Sequence, residues 1–254
     1  MNLTLIRHAT LLVEMGQARL LIDPMLDPAG TQPPLPETAN QLPNPLVELP
    51  IAAEQLVDGL DAVIVSHLHP DHFDATAMRS LPRDVPVICQ PHEAPTLAGL
   101  GLGATPLADP FALGELRVSP TAGRHGRGQM AEAMGPVMGV VLAAPREPTL
   151  YLAGDSVWCE QTAAAIDAHH PDVIVVNAGA PQFTHGGSIT MDAADVVSTA
   201  EVAPAGTVIA VHMEAYNHCG LTRAALAEAC ERAGCADRVL IPADGETIEI
   251  DLPR

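Results

Sequence analysis

The segment Ser66-His67-Leu68-His69-Pro70-Asp71-His72 places three imidazoles and one carboxylate within six residues. Imidazole and carboxylate donors together suit zinc, manganese or iron. Histidines one residue apart in an extended segment point to the same side, so His67 and His69 can grip one ion. Pro70 then turns the chain, and Asp71 and His72 can face a second ion. Those donors need something to hold them in register, and the apolar run at residues 61–65 just before them reads as a short buried strand.

Other polar residues share that placement. Asp23 follows a strand-like stretch at 19–22, His125 follows 116–120, Asp155 follows 149–153, and His212 follows 208–211. In α/β proteins the C-terminal strand ends gather along one sheet edge, where sites form. Singly, each such residue is an ordinary turn or cap. Taken with the His67 cluster they form a coherent two-metal set.

The remaining elements fit an α/β layered domain. Strands are expected at 3–6, 10–14, 86–90, 137–143, 173–177, 239–241 and 247–250. Helices are expected at 75–80, 93–100, 159–169, 191–200 capped by Thr190, and 222–233 with Thr222 as cap and Gly234 at its end. Between 24 and 50 prolines are too frequent for regular structure. Apolar residues are interleaved there, so an ordered, functional loop is expected. The 254 residues suit one domain over 1–254, and at 2% aromatic the core must be built from Leu, Val, Ile and Ala. A formal charge of −19 disfavours nucleic acid and anionic membrane surfaces as partners. Five cysteines without a Cys-x-x-Cys pair, and an N-terminus without a leader pattern, fit a reduced, cytoplasmic protein.

The order Asp23, His67-x-His69-x-Asp71-His72, His125, Asp155, His212 resembles the five motifs of the metallo-β-lactamase superfamily. The openings Arg7-His8-Ala9-Thr10 and Leu21-Ile22-Asp23-Pro24 further resemble the branch of ascorbate-6-phosphate lactonase-like hydrolases. The resemblance implies a four-layer αββα sandwich with metals at one edge of paired sheets. It implies one divalent ion on His67, His69 and His125, a second on Asp71, His72 and His212, and Asp155 bridging them. Asp23 would orient ligands from behind. Two ions, Zn2+ in preference to Mn2+ or iron, would activate a shared water for attack on a small ester, lactone, thioester or phosphodiester. An iron-dependent oxidoreductase of the same fold and a non-catalytic metal-binding protein are the alternatives. The same resemblance allows a homo-oligomer.

Several further residues lie close to these motifs. His8, at a strand end, is read as a substrate contact or a support for the ligands. His185, in a loop after a strand, is a candidate substrate contact, and His218 is a candidate proton donor to the leaving group. Glu214, Tyr216 and Asn217 are expected to shape the pocket. Arg124 and Arg127 could steer an anionic small-molecule substrate. His92, His169 and His170 read as surface residues, and Cys219 as a small buried thiol.

Overall fold

Strands buried on both faces build this fold outward from the centre. In the computed structural model, which describes residues 1–252, the N-terminal half runs through β1 (Asn2–Arg7), β2 (Thr10–Met15), β3 (Ala18–Ile22), α1 (Ala53–Leu56), β4 (Ala62–Ile64), α2 (Ala75–Ser80), β5 (Pro86–Cys89), α3 (Ala94–Gly99) and β6 (Gly103–Pro106). The C-terminal half follows with β7 (Phe111–Leu113), β8 (Leu116–Ala122), α4 (Gln129–Met134), β9 (Met138–Ala143), β10 (Leu150–Leu152), α5 (Glu160–His169) and β11 (Val173–Asn177). It closes with α6 (Ala193–Val202), β12 (Thr207–Val211), α7 (Arg223–Ala233), β13 (Val239–Leu240) and β14 (Thr247–Glu249). Two seven-stranded sheets result, ordered β14-β1-β2-β3-β4-β5-β6 and β13-β12-β11-β10-β9-β8-β7.

Each strand turns every second side chain inward, as a two-residue period requires. Leu11, Val13, Leu20, Ile22 and Ile64 from one sheet meet Val140, Leu142, Leu152, Val175 and Val211 from the other in the central core. Leu12, Leu21 and Val63, on the opposite face, pack under α1 to α3 with Leu56, Ala77 and Leu97. Tyr151, Ile174, Val176 and Ala210 do the same under α5 to α7 with Ile166, Val196 and Leu226. Three apolar layers between four structural layers make the αββα sandwich, as the sequence leads one to expect.

Strand direction decides where the polar ends go. β3, β4 and β5 are mutually parallel, as are β10, β11 and β12. β1 runs antiparallel to β2 and β2 to β3, so β1 shares the direction of β3; the same logic through β9 gives β8 the direction of β10. The C-terminal ends of β1, β3, β4 and β5 therefore share one edge of their sheet and those of β8, β10, β11 and β12 one edge of theirs, and the bond from His212 N–H to His8 O brings the two edges together.

Some details differ from the sequence expectation. The short elements α1, β6, β7 and α4 were not foreseen; none exceeds six residues, too few for a periodic signal. The α6 helix starts later than expected, because Asp192, not Thr190, caps it by accepting from Asp195 N–H. Thr190 is fully buried instead. Among the described residues no helix is long and apolar enough to cross a membrane.

The proline-rich stretch 24–50 is ordered, and buried polar groups hold it. Arg7, fully buried, donates through Nη1 to Val47 O at 2.7 Å and through Nη2 to Met25 O and Asp27 O at 2.9 and 2.6 Å. Burial lowers its guanidinium to about 10, so it stays charged near neutral pH. From the other side, Asn217 Oδ1 accepts from Leu35 N–H and Asn44 Nδ2 at 3.1 and 2.8 Å. Its Nδ2 donates to Thr38 Oγ1 and Asn40 O, both at 2.7 Å. A proline-rich loop cannot satisfy its own backbone, so these side chains replace the missing ladder. Asn217→Ala should therefore lower stability by about 2–3 kcal/mol, since it strands several buried partners at once. Denaturant unfolding would measure this, and limited proteolysis should show faster cleavage within 30–45; an unchanged midpoint and cleavage rate would refute the assigned role.

Candidate metal centre

Ligand candidates stand beyond strand ends on the common edge, with His69, Asp71 and His72 following His67 in the loop after β4. His8 follows β1, Asp23 follows β3, His67 lies three residues past β4, and His125 lies three past β8. Asp155 comes three residues after β10, and His212 directly follows β12. Three of these turn sharply with positive φ: His8 at 57°, Asp23 at 44° and His212 at 64°. Non-glycine residues held there cost about 1–3 kcal/mol each and persist where surroundings enforce them. The enforcing contacts are visible. Asp23 N–H donates to Ile64 O at 2.8 Å, and His212 N–H donates to His8 O at 2.7 Å. The second of these joins the two sheets across the sandwich.

Close backbone approach is needed at two glycines. Gly154, just before Asp155, has φ 64° and sits over Met138 O. Gly179, following β11, packs so tightly on the His212 carbonyl that any Cβ would overlap it.

The side chains converge in two groups that meet at Asp155. His67 Nε2 lies 2.9 Å from His69 Nδ1, and the donor atoms of His67, His69 and His125 lie within 4.8 Å of one another. A second group within the same limit comprises His8, Asp71, His72 and His212. Asp155 Oδ2 is 3.4 Å from His125 Nε2 and 3.9 Å from His67 Nε2. Its Oδ1 is 3.3 Å from His72 Nε2 and 3.4 Å from His212 Nε2. One carboxylate thus turns a different oxygen to each group.

The outward ring nitrogens are pinned, which leaves the inward ones for a ligand. His72 Nδ1 is held by Asp23 Oδ2 at 2.8 Å, His125 Nδ1 by Ile189 O at 2.9 Å, and His67 Nδ1 by Ser66 Oγ at 3.0 Å. His72 Nε2 and His212 Nε2 are buried and have no hydrogen-bond partner among the described residues. Buried unpaired nitrogens aimed at carboxylates are what a coordinated cation would satisfy, and the outer bonds are the kind that fix ligand orientation. The donor set therefore fits divalent ions that favour imidazole and carboxylate.

Charge supports that fit. Burial drives His67 well below the ordinary imidazole range, with His72 adding to the effect, and burial likewise lowers His69. Both are then neutral, as a metal ligand must be. At Asp155 burial pushes upward, but His212, His72 and His125 outweigh it and hold the carboxyl well below its usual range. Asp71 is held low in the same way by His72, His212 and His8. His72 goes the other way. Burial lowers it, yet Asp155, Asp23 and Asp71 outweigh burial and hold it well above the ordinary range. Three carboxylates around one imidazole call for positive charge, which a cation could supply in place of that proton.

Asp23 stands behind the ligands: it accepts from Ser66 N–H and Ser66 Oγ, both at 2.7 Å, and from His72. His8 stacks on His212 with ring centroids 3.6 Å apart and reaches Asp71 Oδ2 at 3.2 Å. His218 Nε2 is 3.5 Å from the same oxygen, and burial lowers its imidazole to about 4. His185 is not brought in. Its side chain is 69% exposed and faces Glu37 at 3.7 Å. Arg127 is committed to Asp195 through two 2.7 Å bonds, and Arg124 reaches Gln161. Cys219 is half-buried where a buried thiol is expected, and it donates to His212 O at 3.4 Å.

Two residues were overlooked in the sequence. Ser66 knits Asp23 to His67, and Asn177 Nδ2 donates to Asp155 Oδ1 at 2.6 Å. Asn177 ends the apolar strand β11, the same strand-end signal that marked the ligands.

A cavity of about 160 Å³ opens over the cluster, reaching His69, Asp71, His125, Asp155 and His218 at its floor. A still smaller void of about 20 Å³ lies between the sheets beneath Asp23 and Asn177.

The chain is 40% identical to the UPF0173 protein YddR of Bacillus subtilis over 251 residues, covering 97% of this chain and 99% of that one. Among solved structures, an isothiocyanate hydrolase from Delia radicum gut bacteria superposes with a TM-score of 0.93 at 35% identity, covering 99% and 100% of the two chains. A possible metal-dependent hydrolase from Veillonella parvula gives 0.94 at 32% identity, covering 98% and 99%. The model of the Beta-lactamase superfamily domain matches residues 18–213. With the strand-end cluster, this makes the chain a metal-dependent hydrolase that belongs to the beta-lactamase superfamily.

Proposed function

We propose that this hydrolase works with a dinuclear centre and cleaves a small organic substrate. The observation that carries the reading is the divided carboxylate of Asp155, with Oδ1 toward His72 and His212 and Oδ2 toward His125 and His67. His67, His69 and His125 would hold one ion, and Asp71, His72 and His212 the other. The nitrogen-rich donor set favours Zn2+ over Mn2+ or iron. Two such ions lower the pKa of a water enough to supply hydroxide near neutral pH.

The chain's own residues do the rest. Asp23 and Ser66 keep His67 and His72 from rotating, so their inward nitrogens stay on target. Asn177 holds Asp155 in its divided orientation. His218 borders the cavity, where its neutral imidazole can take a proton from the attacking water and pass it to the departing atom. Esters, lactones, thioesters and phosphodiesters all present a suitable electrophile. The 35% identical isothiocyanate hydrolase adds the central carbon of R–N=C=S to that list. There the oxygen of water bonds to carbon and one proton goes to nitrogen. Cleavage of the C–N bond, with the second proton passing to nitrogen, gives R–NH2 and carbonyl sulfide.

Substituting both His67 and His69 with Ala should remove at least one ion per chain and lower kcat/KM about a thousandfold or more, since water activation is lost. Elemental analysis with kinetics would test this, and full metal occupancy in the variant would sink the assignment. His218→Gln should keep its metal yet lose about a hundredfold in kcat. A variant with unchanged kcat would remove His218 from the chemistry. Stripping the ions with a chelator should lower the thermal midpoint and re-addition should restore it, because ions that bind only the folded chain stabilise it. An unshifted midpoint would argue that folding leaves no such site.

A further inference from the structure

The cavity over the cluster has a wall whose chemistry differs from that of its floor. Leu35, Pro70, Met134, Phe183 and Ile189 form it. They come from four separate stretches, so the wall is assembled by the fold. Leu35 is fixed through its backbone by Asn217, and Ile189 is fixed through the carbonyl that holds His125. Met134 ends α4, and the loop carrying Phe183 is tied to the proline-rich stretch where Thr184 N–H donates to Glu37 O at 2.6 Å.

The chain contains no lysine, and among the described residues no arginine lines this space. The two arginines flanking His125 are engaged with Asp195 and Gln161. A negatively charged tail placed against Leu35, Met134, Phe183 and Ile189 would lose its hydration without gaining a partner. An uncharged apolar tail would gain by burial there. The volume, about 160 Å³, is close to that of a dry cavity that accepts a benzene-sized ligand.

We propose that the substrate is an electrophile whose uncharged, apolar tail, no larger than a single aromatic ring, lies on Leu35, Met134, Phe183 and Ile189. This deepens the hydrolase reading and rests on it. It sets aside substrates with a charged tail, such as carboxylate-bearing esters.

The test is a matched panel on the metal-loaded protein: 4-nitrophenyl butyrate, benzoate and 2-naphthoate, the mono-4-nitrophenyl ester of succinate, and bis(4-nitrophenyl) phosphate. Butyrate and benzoate should exceed the succinate half-ester about a hundredfold in kcat/KM, the cost of stripping an unpaired carboxylate. Naphthoate should fall below benzoate. Phe183→Ala should raise KM for benzoate about tenfold with the loss falling on KM rather than kcat. Met134→Arg should raise the succinate half-ester toward the neutral esters, a gain that misfolding cannot produce. Equal rates on the succinate and neutral esters would overturn the inference while leaving the hydrolase reading intact. If the loaded protein cleaves none of the carboxylate esters, the inference falls, while metal-dependent hydrolysis, carried by the site and the relatives, stands.

Discussion

Three carboxylates, Asp23, Asp71 and Asp155, and six imidazoles are buried together where the two sheets meet at one edge. Removing so many ionisable groups from water is tolerable only if each charge finds a partner. The partners are specific: Ser66 and His72 for Asp23, His8 for Asp71, and Asn177 for Asp155. Even so the carboxylates pull His72 well above its ordinary range, which marks where positive charge is missing. The rest of the structure serves this cluster, since the sandwich aligns its strand ends along one edge and the central core holds them there.

That alignment has a cost in backbone strain. His8, Asp23 and His212 all leave their strands with positive φ. Each is restrained by a hydrogen bond to a neighbouring strand end, and the bond from His212 N–H to His8 O ties β12 to β1. The two sheets therefore position the cluster jointly. A change on either side moves ligands contributed by both, and Gly179, pressed on the His212 carbonyl, shows how little room that joint leaves.

The framework of this site was legible in the sequence because its physics is local and periodic. Apolar runs mark the strands, and a polar residue just past each run marks the shared edge. That rule marks Asp23, His125, Asp155 and His212 beside the His67 cluster. Asn177 obeyed the same rule and was passed over, since an amide at a strand end resembles an ordinary turn residue. What stayed hidden depends on direction rather than position. His185 has the right placement but points outward to Glu37, while Asn217 looks like a pocket residue and instead fastens the proline-rich stretch. Arg127 offered a positive charge in sequence that Asp195 absorbs in space. Thr190 lost the helix cap to Asp192 because a shift of two residues is beyond what capping preference can resolve.

The site thus divides into two parts held by different means. Donors that would face the ions stand on strand ends, fixed by ladders and by buried hydrogen bonds to their far sides. Apart from Pro70 and Met134, the wall above them hangs on irregular chain between 24 and 50 and between 178 and 191, held by a few side-chain anchors such as Asn217 and Arg7. Strand ends cannot shift without disturbing the core, whereas loops can change sequence as long as their anchors remain. On the proposed reading, water activation would belong to the framework and the choice of substrate to the loops. That separation explains why a sequence can announce its ligands plainly while its substrate must be read from the shape and charge of the wall.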